Sequence, residues 1–172
     1  ASAARPSPRS LAAQPHPADE ITNRKNIGTS VTSDSAFDSS GILIGAGATV
    51  PSVTNGGTIT ATAFGEAANA RGIYDLSNTL LLITNTGTIR AATVPTDDDL
   101  TDSVTPVATG VAAAIDVSAS SNAVTLNQSP DVAFGDDDGI DNDGAARPAV
   151  AILGDVLFGS GSDVFNMSAG IM

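Results

Sequence analysis

The densest chemistry in the sequence is the run Asp136-Asp137-Asp138-Gly139-Ile140-Asp141-Asn142-Asp143-Gly144. A hard cation such as calcium takes roughly six to eight oxygen ligands. Closely spaced carboxylates with loop carbonyls between them supply such oxygens, so Asp136, Asp138, Asp141 and Asp143 are the expected ligands of a calcium site. A solvated acidic loop that keeps copies apart is the alternative reading of the same residues. The inventory for catalysis is poorer. His16 is the only histidine and sits between Pro15 and Pro17, where a Ser-His-Asp arrangement would have to recruit it from an extended arm. There is no cysteine, which excludes disulfides, thiolate metal sites and a cysteine nucleophile. No phosphate loop, dinucleotide fingerprint or zinc spacing is present. No catalytic residue is therefore expected, and the chain is not expected to be an enzyme. The enzymatic alternative is a polysaccharide-active protein using Asp136, Asp138 and Arg147. With five Phe, one Tyr and no Trp it would have little surface on which to stack sugars.

Charge narrows the partners. The formal net charge is −12. Arg5, Arg9, Arg24 and Lys25 outnumber Asp19 and Glu20 in residues 1–25, while Arg71, Arg90 and Arg147 face all the remaining acids. A body this acidic repels nucleic acid and anionic lipid, and attracts divalent cations or a basic segment. No apolar run approaches the about 20 residues that span a bilayer. Residues 1–25, with Pro6, Pro8, Pro15 and Pro17, are expected to be an extended arm. Its basic residues Arg5, Arg9, Arg24 and Lys25 would reach the acidic body of a neighbouring copy.

The elements that must position these groups are strands. The apolar 41% is mostly Ala, Val, Ile and Leu, and turn-forming Gly, Ser, Thr, Asn and Asp are abundant. Short apolar clusters at 42–44, 50–53, 58–63, 80–84, 88–93, 111–117, 124–127, 150–153, 155–158 and 164–167 alternate with turn residues. Val53-Thr54-Asn55-Gly56-Gly57-Thr58-Ile59 recurs thirty residues later as Ile83-Thr84-Asn85-Thr86-Gly87-Thr88-Ile89. Ile73-Tyr74-Asp75-Leu76-Ser77 is echoed by Ala114-Ile115-Asp116-Val117-Ser118, and the strands that follow are expected to match Asn85 with Asn127. Repeats of this length mark stacked units, none of which covers its own apolar face. In the repeat, Val53 and Ile59 point inward and Asn55 turns the corner, with Gly57 completing the bend. Asn85 stacked on Asn55, with Gly87 on Gly57, predicts an amide ladder along the axis. Pro and Asp exclude central strands at 92–109 and 129–148, which are expected to be loop excursions from a body spanning 26–172.

The repeated phrase, together with Gly154-Asp155-Val156-Leu157-Phe158-Gly159-Ser160-Gly161-Ser162-Asp163-Val164-Phe165-Asn166-Met167, resembles bacterial autotransporter passenger domains over roughly residues 40–170. That resemblance implies a right-handed parallel β-helix exported to the outer surface of a Gram-negative bacterium. The family also carries a C-terminal membrane barrel. None follows here, which points to a cleaved fragment or a free-standing secreted solenoid. The 136–144 run resembles the calcium loops of thrombospondin type 3 repeats and EF-hands. No Glu stands near its end, so a full EF-hand is excluded while a looser calcium site is not. The segment from Gly159 to Phe165 matches part of the Gly-Gly-x-Gly-x-Asp calcium nonapeptide in one copy. It is read as a turn entering a strand with Val164 or Phe165 inward.

The expectation is thus an all-β, right-handed parallel β-solenoid of about five to seven turns of roughly 20–30 residues. Its expected role is an extracellular, self-assembling surface protein that stacks end to end into a fibre or layer. A monomeric passenger adhesin that binds a surface ligand or polysaccharide is the alternative.

Overall fold

Ile and Ala alternate with Thr through residues 58–63, and such a period of two puts one set of side chains on each face of a strand. The computed structural model describes residues 20–32, 38–96, 107–130 and 149–172, and there this alternation builds a parallel β-solenoid. The described chain forms β1 (Glu20–Asn23), β2 (Asn26–Thr32), β3 (Ser39–Ile44), β4 (Ser52–Asn55), β5 (Thr58–Phe64) and β6 (Ala70–Asp75). It continues with β7 (Leu82–Asn85), β8 (Thr88–Val94), β9 (Ala112–Asp116), β10 (Thr125–Gln128), β11 (Ala151–Leu153), β12 (Asp155–Leu157) and β13 (Val164–Met167). Successive strands fall in three different sheets. The first sheet has the order β1-β4-β7-β10-β13, the second β11-β8-β5-β2 and the third β12-β9-β6-β3. All named pairings are parallel.

One coil is therefore a triangle of three strands. Equivalent corner residues are separated by 32, 30, 43 and 39 positions along the sequence. The described residues complete four coils and begin a fifth, fewer and longer than the turns expected from the repeat length. The longer spacings are those of 43 and 39, which include the stretches 97–106 and 131–148 that the 30-residue repeat does not contain. β1, β2 and β6 lie outside the apolar clusters because their polar, glycine and charged positions interrupt the alternation.

The core is a set of side-chain columns. Ile21, Val53, Ile83, Leu126 and Phe165 stack in register along the first sheet. Ile27, Ile59, Ile89 and Ile152 do so along the second, and Ile42, Ile73, Ile115 and Val156 along the third. Val53, Ile59, Ile73, Ile83, Ile89, Ile115 and Leu126 have no exposed surface. Burial of each contributes about 1.5–3 kcal/mol, which makes these columns the main source of cohesion. Where the second and third sheets converge the space narrows, and Ala61, Ala63, Ala68, Ala70 and Ala91 fill it. In the third sheet Gly72 faces Ile89. A Cβ on Gly72 would lie 2.8 Å from Ile89 Cγ2 and 2.5 Å from Ala114 O, so no side chain fits between coils there. Ala114 carries a Cβ, and β12 bulges between Asp155 and Val156 beside it.

Candidate functional site

At the corner between the first and second sheets, parallel stacking brings one polar side chain per coil into line. Asn23 Nδ2 donates to Asn55 Oδ1 at 2.8 Å, Asn55 Nδ2 to Asn85 Oδ1 at 2.8 Å, and Asn85 Nδ2 to Gln128 Oε1 at 3.2 Å. Gln128 Nε2 ends the ladder on the carbonyls of Ala169 and Ile171, at 3.1 and 3.2 Å. Asn55 Nδ2 also reaches Gly57 O and Thr88 O, each at 3.2 Å. All four amides are buried. A buried amide needs partners for both donors and its acceptor, and the line of coils supplies them.

Two rungs of this ladder escape the sequence repeat. Asn23 belongs to Ile21-Thr22-Asn23, whose likeness to Ile83-Thr84-Asn85 was the available signal. At the other end Asn85 pairs with Gln128, not with Asn127, which stands opposite Thr84. The expected match was displaced by one residue, and such a slip moves a side chain to the other face. Asn127 accordingly lies on the outside and accepts a hydrogen bond from Asn166 Nδ2 at 2.9 Å.

The corners themselves are copies. Gly56 and Thr86 donate their backbone N–H groups to Asn23 O and Asn55 O, and Thr58 and Thr88 donate theirs to Lys25 O and Gly57 O. Coils this close leave no room between backbones. A Cβ on Gly57 would run into the Lys25 carbonyl, and one on Gly87 into the Gly57 carbonyl. Lys25 occupies the same place in the first coil and is exposed, as is Arg24 beside it. The described part of the first coil starts at Glu20. The two cations grouped by composition with the arm sit in its first corner.

The corner between the third and first sheets uses carboxylates. Asp75 Oδ1 accepts from Ser77 N at 2.9 Å and Ser77 Oγ at 2.6 Å. Asp116 Oδ1 repeats this with Ser118, at 3.1 and 2.6 Å. Their second oxygens differ. Asp116 Oδ2 accepts from Arg71 Nε at 2.8 Å, whereas Asp75 Oδ2 has no hydrogen-bond partner although Asp75 is fully buried. Arg71 also donates from Nη1 to Asp38 Oδ2 at 2.9 Å and stacks over the Tyr74 ring, 4.4 Å from its centre. Burial alone would lower the Arg71 pKa, but its hydrogen bonds with Asp116 and Asp38 outweigh that and hold it above the ordinary value. One cation thereby ties three successive coils, a contact that nothing in the sequence repeat signals.

The proposed calcium ligands Asp136, Asp138, Asp141 and Asp143 lie outside the described residues, as do Arg5, Arg9, His16 and Arg147. Among the described residues no group of three or more His, Asp or Glu side chains is placed to hold a metal ion. Asp163, in the nonapeptide-like turn, accepts the Val124 N–H at 2.8 Å, with Phe165 partly buried against the core and Val164 45% exposed. No described helix is long and apolar enough to cross a membrane.

The ends of the solenoid differ from its middle. Among the described residues β1, β2 and β3 are the outermost strands at the N-terminal face, and β13, β11 and β12 at the C-terminal face, where Ile171 bridges Ala151 of β11. Positions that are fully buried in the inner coils are only partly covered at Ile21, Ile27, Val156 and Phe165. On the C-terminal face Met167, which stacks on Gln128, is 46% exposed and Ile171 is 61% exposed. Compared with family models, with curated proteins and with solved structures, the chain has no match.

Proposed function

We propose that the chain is a non-enzymatic extracellular surface protein of a Gram-negative bacterium, whose solenoid ends associate with another copy. The observation that carries this reading is the contrast within one column. Val53, Ile83 and Leu126 are fully buried between coils, whereas Phe165 is only partly buried, and Met167 and Ile171 on the same end of the described solenoid are exposed. Open edges with unpaired backbone groups beside apolar side chains are templates for a second chain. Removing that surface from water is what drives protein association.

Negative-stain imaging and light scattering of the purified protein test this. Assemblies that grow with concentration are expected, and Phe165→Asp should shift them to monomers. Wild-type protein that stays monomeric at every concentration, with or without calcium, removes the proposal. An autotransporter-like passenger is a second reading, supported by the same face, which a following coil of a longer polypeptide would also cover. A barrel-encoding region directly downstream favours it. Calcium held by Asp136, Asp138, Asp141 and Asp143 belongs to either reading, and predicts a higher melting temperature in millimolar calcium than in chelator.

A further inference from the structure

We infer that Asn55-Gly56 is a self-modification site that the folded solenoid holds shut, so that a chain left unfolded loses the ability to regain its fold. The inference stands on the ladder geometry and does not depend on how copies associate.

Asn55-Gly56 is the one Asn-Gly pair in the sequence. In an unfolded chain the backbone nitrogen of Gly56, once deprotonated, attacks Asn55 Cγ. A bond forms between that nitrogen and Cγ, and the bond from Cγ to Nδ2 breaks. Nδ2 leaves as ammonia, taking up a proton in place of the one Gly56 lost. Water then opens the five-membered imide at one of its two carbonyls, which leaves aspartate or isoaspartate at position 55. Glycine favours the first step because it has no Cβ to obstruct the approach.

The fold does not demand this glycine. Thr86 holds the equivalent place in the next coil, since Gly56 N donates to Asn23 O and Thr86 N to Asn55 O, each at 2.8 Å. A Cβ on Gly56 would meet Thr86 Oγ1 at 3.5 Å and Asn23 O at 3.8 Å, which are ordinary contacts. Its backbone is not among the left-handed positions either. Gly57 and Gly87 are different, because a Cβ on either would run into a backbone carbonyl. Asn85-Thr86 therefore builds the same corner without the reactive pair.

In the folded chain every atom of the reaction is engaged. Asn55 is fully buried, away from water. The departing Nδ2 is held by Asn85 Oδ1 at 2.8 Å and by Gly57 O and Thr88 O at 3.2 Å. Asn55 Oδ1 accepts from Asn23 Nδ2 at 2.8 Å, and the attacking nitrogen of Gly56 is bonded to Asn23 O. Cyclisation would break these contacts together. The same surroundings reject the products. Aspartate at position 55 sets a buried carboxylate oxygen where Nδ2 now donates to three acceptors, and burying a charge without partners is strongly unfavourable. Isoaspartate adds a methylene to the backbone beside Gly57, where the coils already touch at the Lys25 carbonyl. A chemical change confined to the unfolded chain makes unfolding irreversible.

The full chain is held in denaturing urea at mildly alkaline pH, sampled over time and diluted back to native conditions, beside a sample kept folded. Peptide mapping by mass spectrometry reads the amide-to-acid exchange at each asparagine, and circular dichroism reads the fraction that refolds. Asn55 should convert in urea, Asn85 several times more slowly, and neither in the folded sample. The refolding fraction should fall in step with the loss of Asn55, and faster at higher pH. Gly56→Ala and Gly56→Thr should fold and should keep the ability to refold several times longer. Asn55→Asp, made directly, should lower the melting temperature more than Asn55→Ala does. Equal loss of refolding in wild type and both Gly56 variants overturns the inference. So does conversion of Asn55 as fast in the folded sample as in urea, or an Asn55→Asp protein as stable as wild type. Failure of both Gly56 variants to fold overturns it too, because the glycine would then be a structural requirement.

Discussion

Where the first sheet turns into the second, each side-chain amide reaches the next coil. Where the third sheet turns into the first, each carboxylate turns one oxygen back on its own coil. Asn23, Asn55, Asn85 and Gln128 form one line of donors and acceptors through four coils. Asp75 and Asp116 spend their Oδ1 atoms on Ser77 and Ser118, two residues away. At that second kind of corner, coils are joined by individual contacts that do not repeat. Asn78 Oδ1 accepts from Ser121 N at 2.8 Å, with Asn78 itself at φ 59°, and Thr79 Oγ1 donates to Ala48 O at 3.1 Å. A line of identical contacts fixes register and spacing and therefore needs the same residues in each coil. Self-closed turns need only a short local motif, and the coils around them can differ.

The sharpest way to break the first corner is to insert a methyl group where the backbones touch. Gly57→Ala or Gly87→Ala should each cost about 3 kcal/mol or more, because the obstructing atom is a backbone carbonyl that cannot rotate away. Gly56→Ala, one residue earlier, has Thr86 Oγ1 at 3.5 Å as its nearest contact and should change stability by less than about 1 kcal/mol. Urea unfolding midpoints of the three variants check the contrast. A Gly57→Ala protein as stable as Gly56→Ala would mean that the corner can widen and that the coils are not held at backbone contact.

The ladder itself predicts the next largest effect. Asn55→Ala removes a buried acceptor from Asn23 and a buried donor from Asn85 in one step. Leaving such groups unpaired costs about 1–3 kcal/mol each, so a loss of about 2–4 kcal/mol is expected. Asn127→Ala, on the outer face one residue from a ladder position, should cost under about 1 kcal/mol. Comparable losses at Asn127 and at Asn55 would show that the outer amide pair with Asn166 matters as much as the buried line.

These two corners also show what the sequence can reveal. Asn55 and Asn85 are readable because backbone contact and a shared hydrogen bond force Thr-Asn-x-Gly-Thr-Ile to recur nearly unchanged. Asn23 is harder to see because Lys25 stands where the next two corners carry Gly57 and Gly87. Gln128 is disguised by Asn127, which looks the better match. Only burial on one face of β10 distinguishes them. Arg71 is not readable at all. Asp38 and Asp116 are 33 and 45 residues from it, and neither spacing repeats elsewhere. The contact arises from stacking, after the register is fixed, and leaves no periodic trace.

The smallest expected effect tests whether the two carboxylate turns are equivalent. By sequence Asp75 and Asp116 occupy the same Asp-x-Ser motif, and their Oδ1 atoms make the same contacts. Their Oδ2 atoms do not, because Arg71 reaches Asp116 and no side chain reaches Asp75 Oδ2. Asp116→Asn places an N–H group, or an uncharged oxygen, against the Arg71 guanidinium. With that guanidinium and Asp116 almost wholly covered, a loss of about 2–3 kcal/mol is expected. Asp75→Asn can keep the Oδ1 contacts to Ser77, and exchanges an oxygen without a partner for an amide group without one. Its net change should stay within about 1 kcal/mol. Thermal melts of the two variants, with Arg71→Met in both backgrounds, resolve the question. If the difference comes from Arg71, Arg71→Met should erase most of the cost of Asp116→Asn and leave that of Asp75→Asn unaltered, since the second turn never touches the arginine. Equal costs for the two aspartates in the presence of Arg71 would instead assign the stabilisation to the serine turns and reduce the three-coil ion pair to a surface contact.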